Sequence, residues 1–169
     1  MSPAPPRFAV ELVQVTHLVM PGALSQSCYY TEAPQDARAV FVLPWQGHTL
    51  VGTTETIYTG EPTAVRAQPA EIEYLLTVLR HYFPRYGDAP LQQFSGLRVL
   101  PRAPGAAFHR PRETVFALDC GRAVGYAAIY GGKLTAYRAT AAKLMRLLNA
   151  ALPPRSVRGD TARLALTPE

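Results

Sequence analysis

Residues able to do chemistry are concentrated in the segment 131–138, GGKLTAYR. Gly131 and Gly132 let the backbone turn sharply and approach a ligand, and we expect Thr135 to cap the helix that follows. The free N–H groups of a first helical turn favour an anion, and Lys133 adds a positive charge. The segment therefore predicts an anion site that fits a phosphate, a carboxylate or an electron-rich ring edge. A plain turn before a helix is the alternative.

Lys133 is one of only two lysines among 17 basic residues, the other being Lys143. A compact ammonium group binds a small anion differently from the planar fork of arginine. We therefore interpret the use of lysine at this position as chemical, with chance placement as the alternative.

His17 lies in a valine-rich segment, residues 7–20, whose alternation predicts a strand. On that strand the imidazole shares a face with three valines. A neutral imidazole among apolar neighbours needs a hydrogen-bond partner or a ligand. A core histidine with a satisfied hydrogen bond is the structural alternative.

Arg98 is the second basic residue on an apolar strand, predicted over residues 91–100. Burial of a guanidinium costs much free energy unless it meets an acid or a bound anion. A salt bridge to Asp119 or Glu113 is the structural alternative. Together, His17, Arg98 and Lys133 form the hypothesis of one anion-binding pocket.

The remaining pattern positions these residues on a sheet. Further strands are predicted at 27–31, 38–45, 48–52, 113–120 and 122–130. The segment 69–83 is predicted to be a helix that packs on one face of the sheet, with no chemical role. A last helix is predicted from Thr135 to about Leu152. Residues 52–62, GTTETIYTGEP, are predicted to form an ordered loop whose threonines bond their own backbone or contact a ligand.

Composition excludes several functional classes. A chain of 169 residues with 48% hydrophobic content is large enough for a globular core. The net charge of +5 is spread over scattered arginines, so we expect no nucleic-acid partner. Cys28, Cys120 and the four histidines lack metal or redox spacing, so we expect free thiols and no metal site. No apolar run or signal peptide is evident, and we expect a cytoplasmic protein.

Five motifs occur in a characteristic order: THLVMP at 16–21, FVLPW at 41–45, VGTTE at 51–55, SGLR at 95–98 and GGKLTAYR at 131–138. This set resembles flavin-dependent glycerol-3-phosphate dehydrogenases, from about Leu12 to Leu148. These belong to the flavin enzymes that resemble D-amino-acid oxidase. In them a dinucleotide-binding domain holds FAD, and an antiparallel sheet domain covers the flavin and binds substrate.

The resemblance implies an α+β fold, mainly an antiparallel sheet with one helix packed on a face. It implies a substrate-binding domain at 1–124, the final strand and helix of a flavin-binding domain at 125–152, and an extended tail at 153–169. No GxGxxG motif follows a strand near the N-terminus, so the adenine and pyrophosphate site of FAD is absent from the chain. The chain therefore resembles the C-terminal part of an enzyme, as a cut protein, a split subunit or a degraded gene.

Such a piece would expose strand edges and apolar faces. We therefore expect a homodimer, a repositioned last helix or poor solubility.

The resemblance also implies residue roles. His17 and Arg98 would be catalytic, and Arg98, Lys133, His17 and Thr54 would bind substrate. The cofactor-binding segment would face the pyrimidine end of the flavin, and it comprises Gly131, Gly132, Lys133, Leu134 and Thr135. Which of Arg98 and His17 takes the hydroxyl proton stays open, although histidine titrates nearer neutral pH. Val99 departs from the family, which has proline there.

The implied reaction moves a hydride from C2 of glycerol 3-phosphate to flavin N5 and yields dihydroxyacetone phosphate. Electrons would pass to a quinone, with the whole enzyme at the inner face of the cell membrane. This chain would be inactive without an FAD domain. Two alternatives stay open: a stand-alone module that binds a phosphorylated metabolite or a partner protein, and a related FAD oxidoreductase acting on an amino or hydroxy acid.

Overall fold

The computed structural model describes residues 8–84, 86, 89–102, 113–119, 126–156 and 158–163. These residues form two compact units. The first, here called the sheet unit, spans residues 10–100. The second, here called the C-terminal unit, contains the other described residues, at 8–9, at 101–102 and from 113 onward.

The sheet unit contains six strands, in the antiparallel arrangement that the sequence predicts. They are β1 (Val10–Met20), β2 (Tyr29–Glu32), β3 (Ala39–Trp45), β4 (His48–Gly52), β5 (Thr56–Tyr58) and β6 (Gln92–Pro101). Their order is β2-β3-β4-β1-β5, and β6 also pairs with β1. Strand β1 pairs with three other strands, β4, β5 and β6, and is therefore the central strand of the sheet.

Residues 52–62 are not a continuous loop, so that prediction is wrong. Thr56–Tyr58 forms β5 and pairs antiparallel with β1, where Ile57 lies opposite Val13. The hydroxyls and glycines around this short strand obscured it, because three residues are too few to show an alternating pattern.

The predicted helix over 69–83 is confirmed as α1, Pro69–Tyr82. Pro69 occupies the first turn, and Gln68 and Glu71 form a capping box. The helix packs its apolar side on one face of the sheet. The shared core consists of Leu18, Met20, Ala33, Val40, Val42, Val51, Leu75, Leu76, Val78 and Leu79.

The face of β1 that packs toward α1 is the mixed one. Gln14, Thr16, Leu18 and Met20 are each at most 2% exposed. The valine face that carries His17 is on the opposite side of the sheet, because side chains alternate along a strand. Polar residues are tolerated under the helix because each finds a hydrogen-bond partner there.

Glu71 supplies that partner from the first turn of α1, and its side chain is buried. One carboxylate oxygen accepts from Thr16 Oγ1 at 2.8 Å, from the Gln68 N–H at 3.1 Å and from the Gln14 amide. The other accepts from Thr54 Oγ1 at 2.8 Å and Thr56 Oγ1 at 3.3 Å. Glu71 thereby joins α1 to β1, to β5 and to the segment before β5.

The C-terminal unit contains β7 (Val115–Leu118) and β8 (Ala127–Tyr130), which pair antiparallel. This compact unit already contains Pro101, whereas the boundary at 124 between a substrate-binding and a flavin-binding part stays a prediction. A 3-10 turn, Leu134–Ala136, precedes α2, Tyr137–Leu148.

The predicted cap at Thr135 is wrong, because Thr135 lies inside the 3-10 turn and neither the turn nor α2 has a side-chain capping bond. The last helix is also shorter than the predicted span to Leu152.

No side chain of α2 is buried. Tyr137 is 66% exposed, Met145 56% and Leu147 45%. Several large apolar side chains of α2 therefore lie exposed among the described residues. In the described part of the chain, no helix has the length and apolar character needed to cross a bilayer.

We predict that Glu71→Ala lowers the free energy of unfolding of the sheet unit by about 3 kcal/mol, because it strands several buried donors. Urea unfolding followed by circular dichroism measures the loss. Glu73→Ala, on the same helix but exposed in an ion pair with Arg80, is the control and should change stability by about 0.5 kcal/mol or less. Equal losses in the two variants would contradict the role assigned to Glu71.

Candidate functional site

His17 belongs to a row of residues that crosses the sheet on the face away from α1. It lies opposite Gly52 of β4, which in turn lies opposite Phe41 of β3. Phe41 lies opposite Tyr30 of β2, and their rings contact edge to face at 5.4 Å. Phe41 is 46% exposed and Tyr30 65% exposed. The row therefore presents an open aromatic surface with one imidazole in it.

Gly52 makes the space that the imidazole occupies. A Cβ at this position would lie 2.8 Å from His17 Cγ and 2.9 Å from Nε2, which is too close for any side chain. On the other side, the His17 ring stacks on Phe94 of β6, with ring centroids 5.2 Å apart and planes 9° apart. The ring orientation is therefore fixed by a glycine and an aromatic residue.

The surroundings of His17 favour its neutral form. Burial lowers the pKa of the imidazole below its usual 6.5, and the nearby positive charge of Arg98 lowers the pKa further. A neutral imidazole has one nitrogen that can accept a proton. The site thus holds a base in its accepting form at neutral pH.

Arg98 does not pair with Asp119 or Glu113, the partners considered from the sequence. Its Nη1 forms an ion pair with Oε1 of Glu55. The Glu55 side chain is 7% exposed, whereas that of Arg98 is 29% exposed. Glu55 was missed because no sequence pattern relates the last residue of VGTTE to an arginine on β6.

Thr54 does not face this surface, which argues against its predicted role in substrate binding. It is 3% exposed. Its hydroxyl donates to Glu71 and accepts the backbone N–H of Thr16 at 3.0 Å. The prediction that the threonine hydroxyls serve their own backbone is also wrong for Thr54. This residue ties the segment after β4 to the centre of β1.

The segment 131–135 belongs to the C-terminal unit. Gly131 and Gly132 have φ values of +69° and +86°, which glycine adopts without strain. A Cβ on Gly131 would also lie 2.8 Å from the carbonyl oxygen of Glu113, and one on Gly132 would lie 2.6 Å from Thr114 Oγ1. Both positions therefore require glycine, because any side chain there would overlap Glu113 or Thr114.

The residues that follow are open to a ligand. Lys133, Leu134 and Thr135 are exposed, and Leu134 is 89% exposed. Because no side chain caps the turn or the helix, their backbone donors face no competing cap. Backbone N–H donors at a first helical turn and one ammonium group suit an electron-rich ligand edge, and the flavin-facing role of this segment stays a prediction.

The structure brings two of the predicted site residues together, His17 and Arg98, within the sheet unit. Lys133 and the glycine turn lie in the C-terminal unit. Among the described residues, no group of three histidine, cysteine, aspartate or glutamate side chains is arranged to hold a metal. Cys28 is an exposed free thiol, and Cys120 lies outside the described residues.

Comparison with known proteins gives a family match over residues 2–138, to the family described as FAD dependent oxidoreductase. The aerobic glycerol-3-phosphate dehydrogenase of Escherichia coli K12 is 33% identical over 144 residues, covering 79% of this chain and 28% of that protein. The D-erythritol 1-phosphate dehydrogenase of Brucella abortus is 34% identical over 149 residues, covering 85% and 30%.

A solved structure is similar as well. The glycerol-3-phosphate dehydrogenase from Bacillus halodurans, complexed with FAD, superposes with a TM-score of 0.65 at 26% identity. The match covers 83% of this chain and 27% of the solved one. The chain thus spans less than a third of the length of these relatives.

We predict that Gly52→Ala destabilises the sheet unit by about 2 kcal/mol and displaces the His17 ring, because the new methyl group overlaps the imidazole. Denaturant unfolding reports the first effect, and histidine ring signals in NMR spectra report the second. Gly96→Ala on β6 is the control, since a Cβ there meets no atom within 4 Å. A displaced His17 signal in both variants, or in neither, would refute the contact.

We predict that His17 titrates below 6.5 in the folded chain and that Arg98→Met raises its pKa, because one cause of the depression is removed. In the unfolded chain His17 binds protons at a higher pH, so stability falls as the pH drops below about 6.5 and stops falling below the folded pKa. An NMR titration of the His17 ring measures both values. Arg80→Met on α1 is the control and should leave the His17 pKa unchanged.

Proposed function

Because the chain belongs to the family of FAD dependent oxidoreductases, we propose that it is the substrate-binding portion of a flavin-dependent sn-glycerol-3-phosphate dehydrogenase. The reaction proposed for the whole enzyme oxidises glycerol 3-phosphate to dihydroxyacetone phosphate. The observation that carries the proposal is the closeness of a neutral imidazole, His17, to a partly exposed guanidinium, Arg98. They share a face of the sheet, because Phe94 stacks on His17 and Arg98 alternates to the same side of β6 as Phe94.

Arg98 is the proposed phosphate ligand of the sheet unit, or the cation beside the reacting hydroxyl. A guanidinium has five N–H donors, and its planar fork matches the geometry of a phosphate. The ion pair with Glu55 uses one Nη, and the 29% exposure of the side chain leaves room for an oxyanion on the others. Arg98 is therefore suited to hold an anion without leaving its acid.

His17 is the proposed base that accepts the proton from the C2 hydroxyl. Its lowered pKa keeps the ring neutral near pH 7, and its fixed ring orientation holds one nitrogen in place. Arg98 is a poor candidate for this task, since a guanidinium stays protonated. Bound FAD would supply the acceptor for the hydride.

The C-terminal unit would contribute to the cofactor site. The residues proposed to face the flavin are Gly131, Gly132, Lys133, Leu134 and Thr135. The positive end of the helical turn and the Lys133 ammonium group favour negative charge on the flavin edge. Lys133 is also a proposed ligand of the substrate phosphate.

The other partners of the whole enzyme are part of the same proposal. In this proposal an FAD-binding domain joins the chain, which has no GxGxxG motif, and the chain alone is inactive. The exposed apolar side chains of α2 are suited to packing on such a domain or on a second copy. We propose quinone as the electron acceptor, and a cytoplasmic location at the inner membrane face.

A second candidate substrate is another polyol phosphate. The similarity to a D-erythritol 1-phosphate dehydrogenase favours it, because that relative is as similar as the glycerol-3-phosphate dehydrogenases. Both substrates carry a phosphate and a secondary hydroxyl, so Arg98 and His17 would serve either. Competition between the two in one binding assay separates them.

The proposal is tested first on the chain itself. The chain is titrated with glycerol 3-phosphate while the NMR signals of His17, Arg98 and Lys133 are followed. The visible spectrum is then recorded after incubation with FAD and removal of the excess. Saturable shifts at these residues support the site. The absence of any shift, together with no retained flavin, would overturn the assignment.

We predict that Arg98→Met weakens glycerol 3-phosphate binding at least about tenfold, because a charge-assisted contact to the phosphate is lost. Isothermal titration calorimetry or NMR titration measures the affinity. Arg80→Met removes the same charge from an exposed ion pair on α1 and should change affinity little. Equal weakening in both variants would show that only the overall charge matters.

A further inference from the structure

A nearly buried carboxylate lies against the guanidinium proposed to bind substrate. Glu55 is 7% exposed and forms an ion pair with Nη1 of Arg98, whose own side chain is 29% exposed. A buried ion pair is a weak source of stability, because desolvation of the charges offsets their attraction. A contribution to folding stability therefore does not explain why this ion pair is present.

We infer that Glu55 is a positioning residue that fixes the direction of the Arg98 guanidinium toward the substrate phosphate. The inference rests on the proposed function, in which Arg98 binds that phosphate. Glu55 itself does not touch the substrate and acts only through Arg98.

The backbone around Glu55 is held from several directions. Thr54 donates its N–H to the Thr16 carbonyl at 3.3 Å, and its hydroxyl is bonded to Glu71. Arg38 donates from Nη1 to the Glu55 carbonyl oxygen at 3.0 Å, while its Nε is held by Asp36 at 2.7 Å. The backbone at Glu55, between β4 and β5, is thus held in place, and a nearly buried carboxylate on a held backbone can set the orientation of a flexible partner.

Arg98 gains from such an anchor. A free arginine side chain has many rotamers, and binding an anion would cost much of that conformational entropy. With one Nη already bound to Glu55, that cost is met when the protein folds. The remaining donors of the planar guanidinium then point in one direction.

The charge of Glu55 makes the inference testable. A carboxylate beside the phosphate site repels the substrate, so removing its charge would strengthen binding if electrostatic attraction were all that mattered. Removing it would weaken binding if orientation matters more. The two explanations therefore predict opposite signs.

The test compares Glu55→Gln with Glu73→Gln. The second variant removes an equal negative charge from α1, where Glu73 forms an exposed ion pair with Arg80. The first readout is the NMR spectrum of the arginine Nε and Nη groups without ligand. The second is the affinity for glycerol 3-phosphate. We expect Glu55→Gln to free rotation of the Arg98 guanidinium and to weaken binding roughly three- to tenfold. Glu73→Gln should change neither the Arg98 signals nor the affinity for glycerol 3-phosphate.

Each outcome decides a separate point. If the wild-type chain binds and Glu55→Gln binds equally well or more tightly, the positioning role is wrong and the proposed function stands. If the wild-type chain shows no binding, the role of Arg98 fails and the inference fails with it. If Glu55→Gln does not fold, Glu55→Asp replaces it, because it keeps the charge and shortens the reach, and the same two shifts should appear with smaller size.

Discussion

The carboxylate of Glu71 and the donors that surround it determine where the site residues lie. Glu71 reaches from α1 to Thr16 on β1 and to Thr54 in the segment that follows β4. Thr16 is the neighbour of His17, and Thr54 is the neighbour of Glu55. The Thr16 hydroxyl also contacts the Ser95 hydroxyl of β6 at 2.6 Å. One side of the sheet is thus held together by polar groups, while the opposite side carries the candidate chemistry.

The two faces of the sheet therefore differ in function: one forms the core under α1, and the other carries the candidate site residues. The face under α1 forms the hydrophobic core, and its buried side chains Gln14, Thr16 and Thr54 are hydrogen-bonded to Glu71. The face away from α1 exposes Tyr30, Phe41 and Phe94, and keeps His17 neutral through burial and the charge of Arg98. The cation beside His17 favours the neutral form of the base, because a second positive charge at short range would be repelled.

Much of the fold was predictable because its signals are local. The alternation of β1 and the apolar repeat of α1 predicted both elements, and the motif order predicted the family. His17 and Arg98 were identified as anomalies among apolar neighbours, which is also a local signal. Lys133 stood out through its place in the glycine turn and through composition.

The remaining features depend on contacts between distant parts of the chain. Glu71 looked like an ordinary first-turn acid, since its side-chain partners lie 15 to 57 residues away in sequence. Glu55 followed two threonines, and nothing nearby indicated an arginine on β6. Strand β5 was too short to show periodicity. In each case the deciding interaction is tertiary, and no window of sequence contains both partners.

The open surface of α2 links folding of the C-terminal unit to assembly. A helix of 12 residues without a buried side chain is near the limit at which a helix persists in water, because nucleation costs more than so few turns return. Whatever covers its apolar side chains would supply most of its stability, so docking and helix formation would be one equilibrium. The helix content of this segment would then report how much of the protein is assembled.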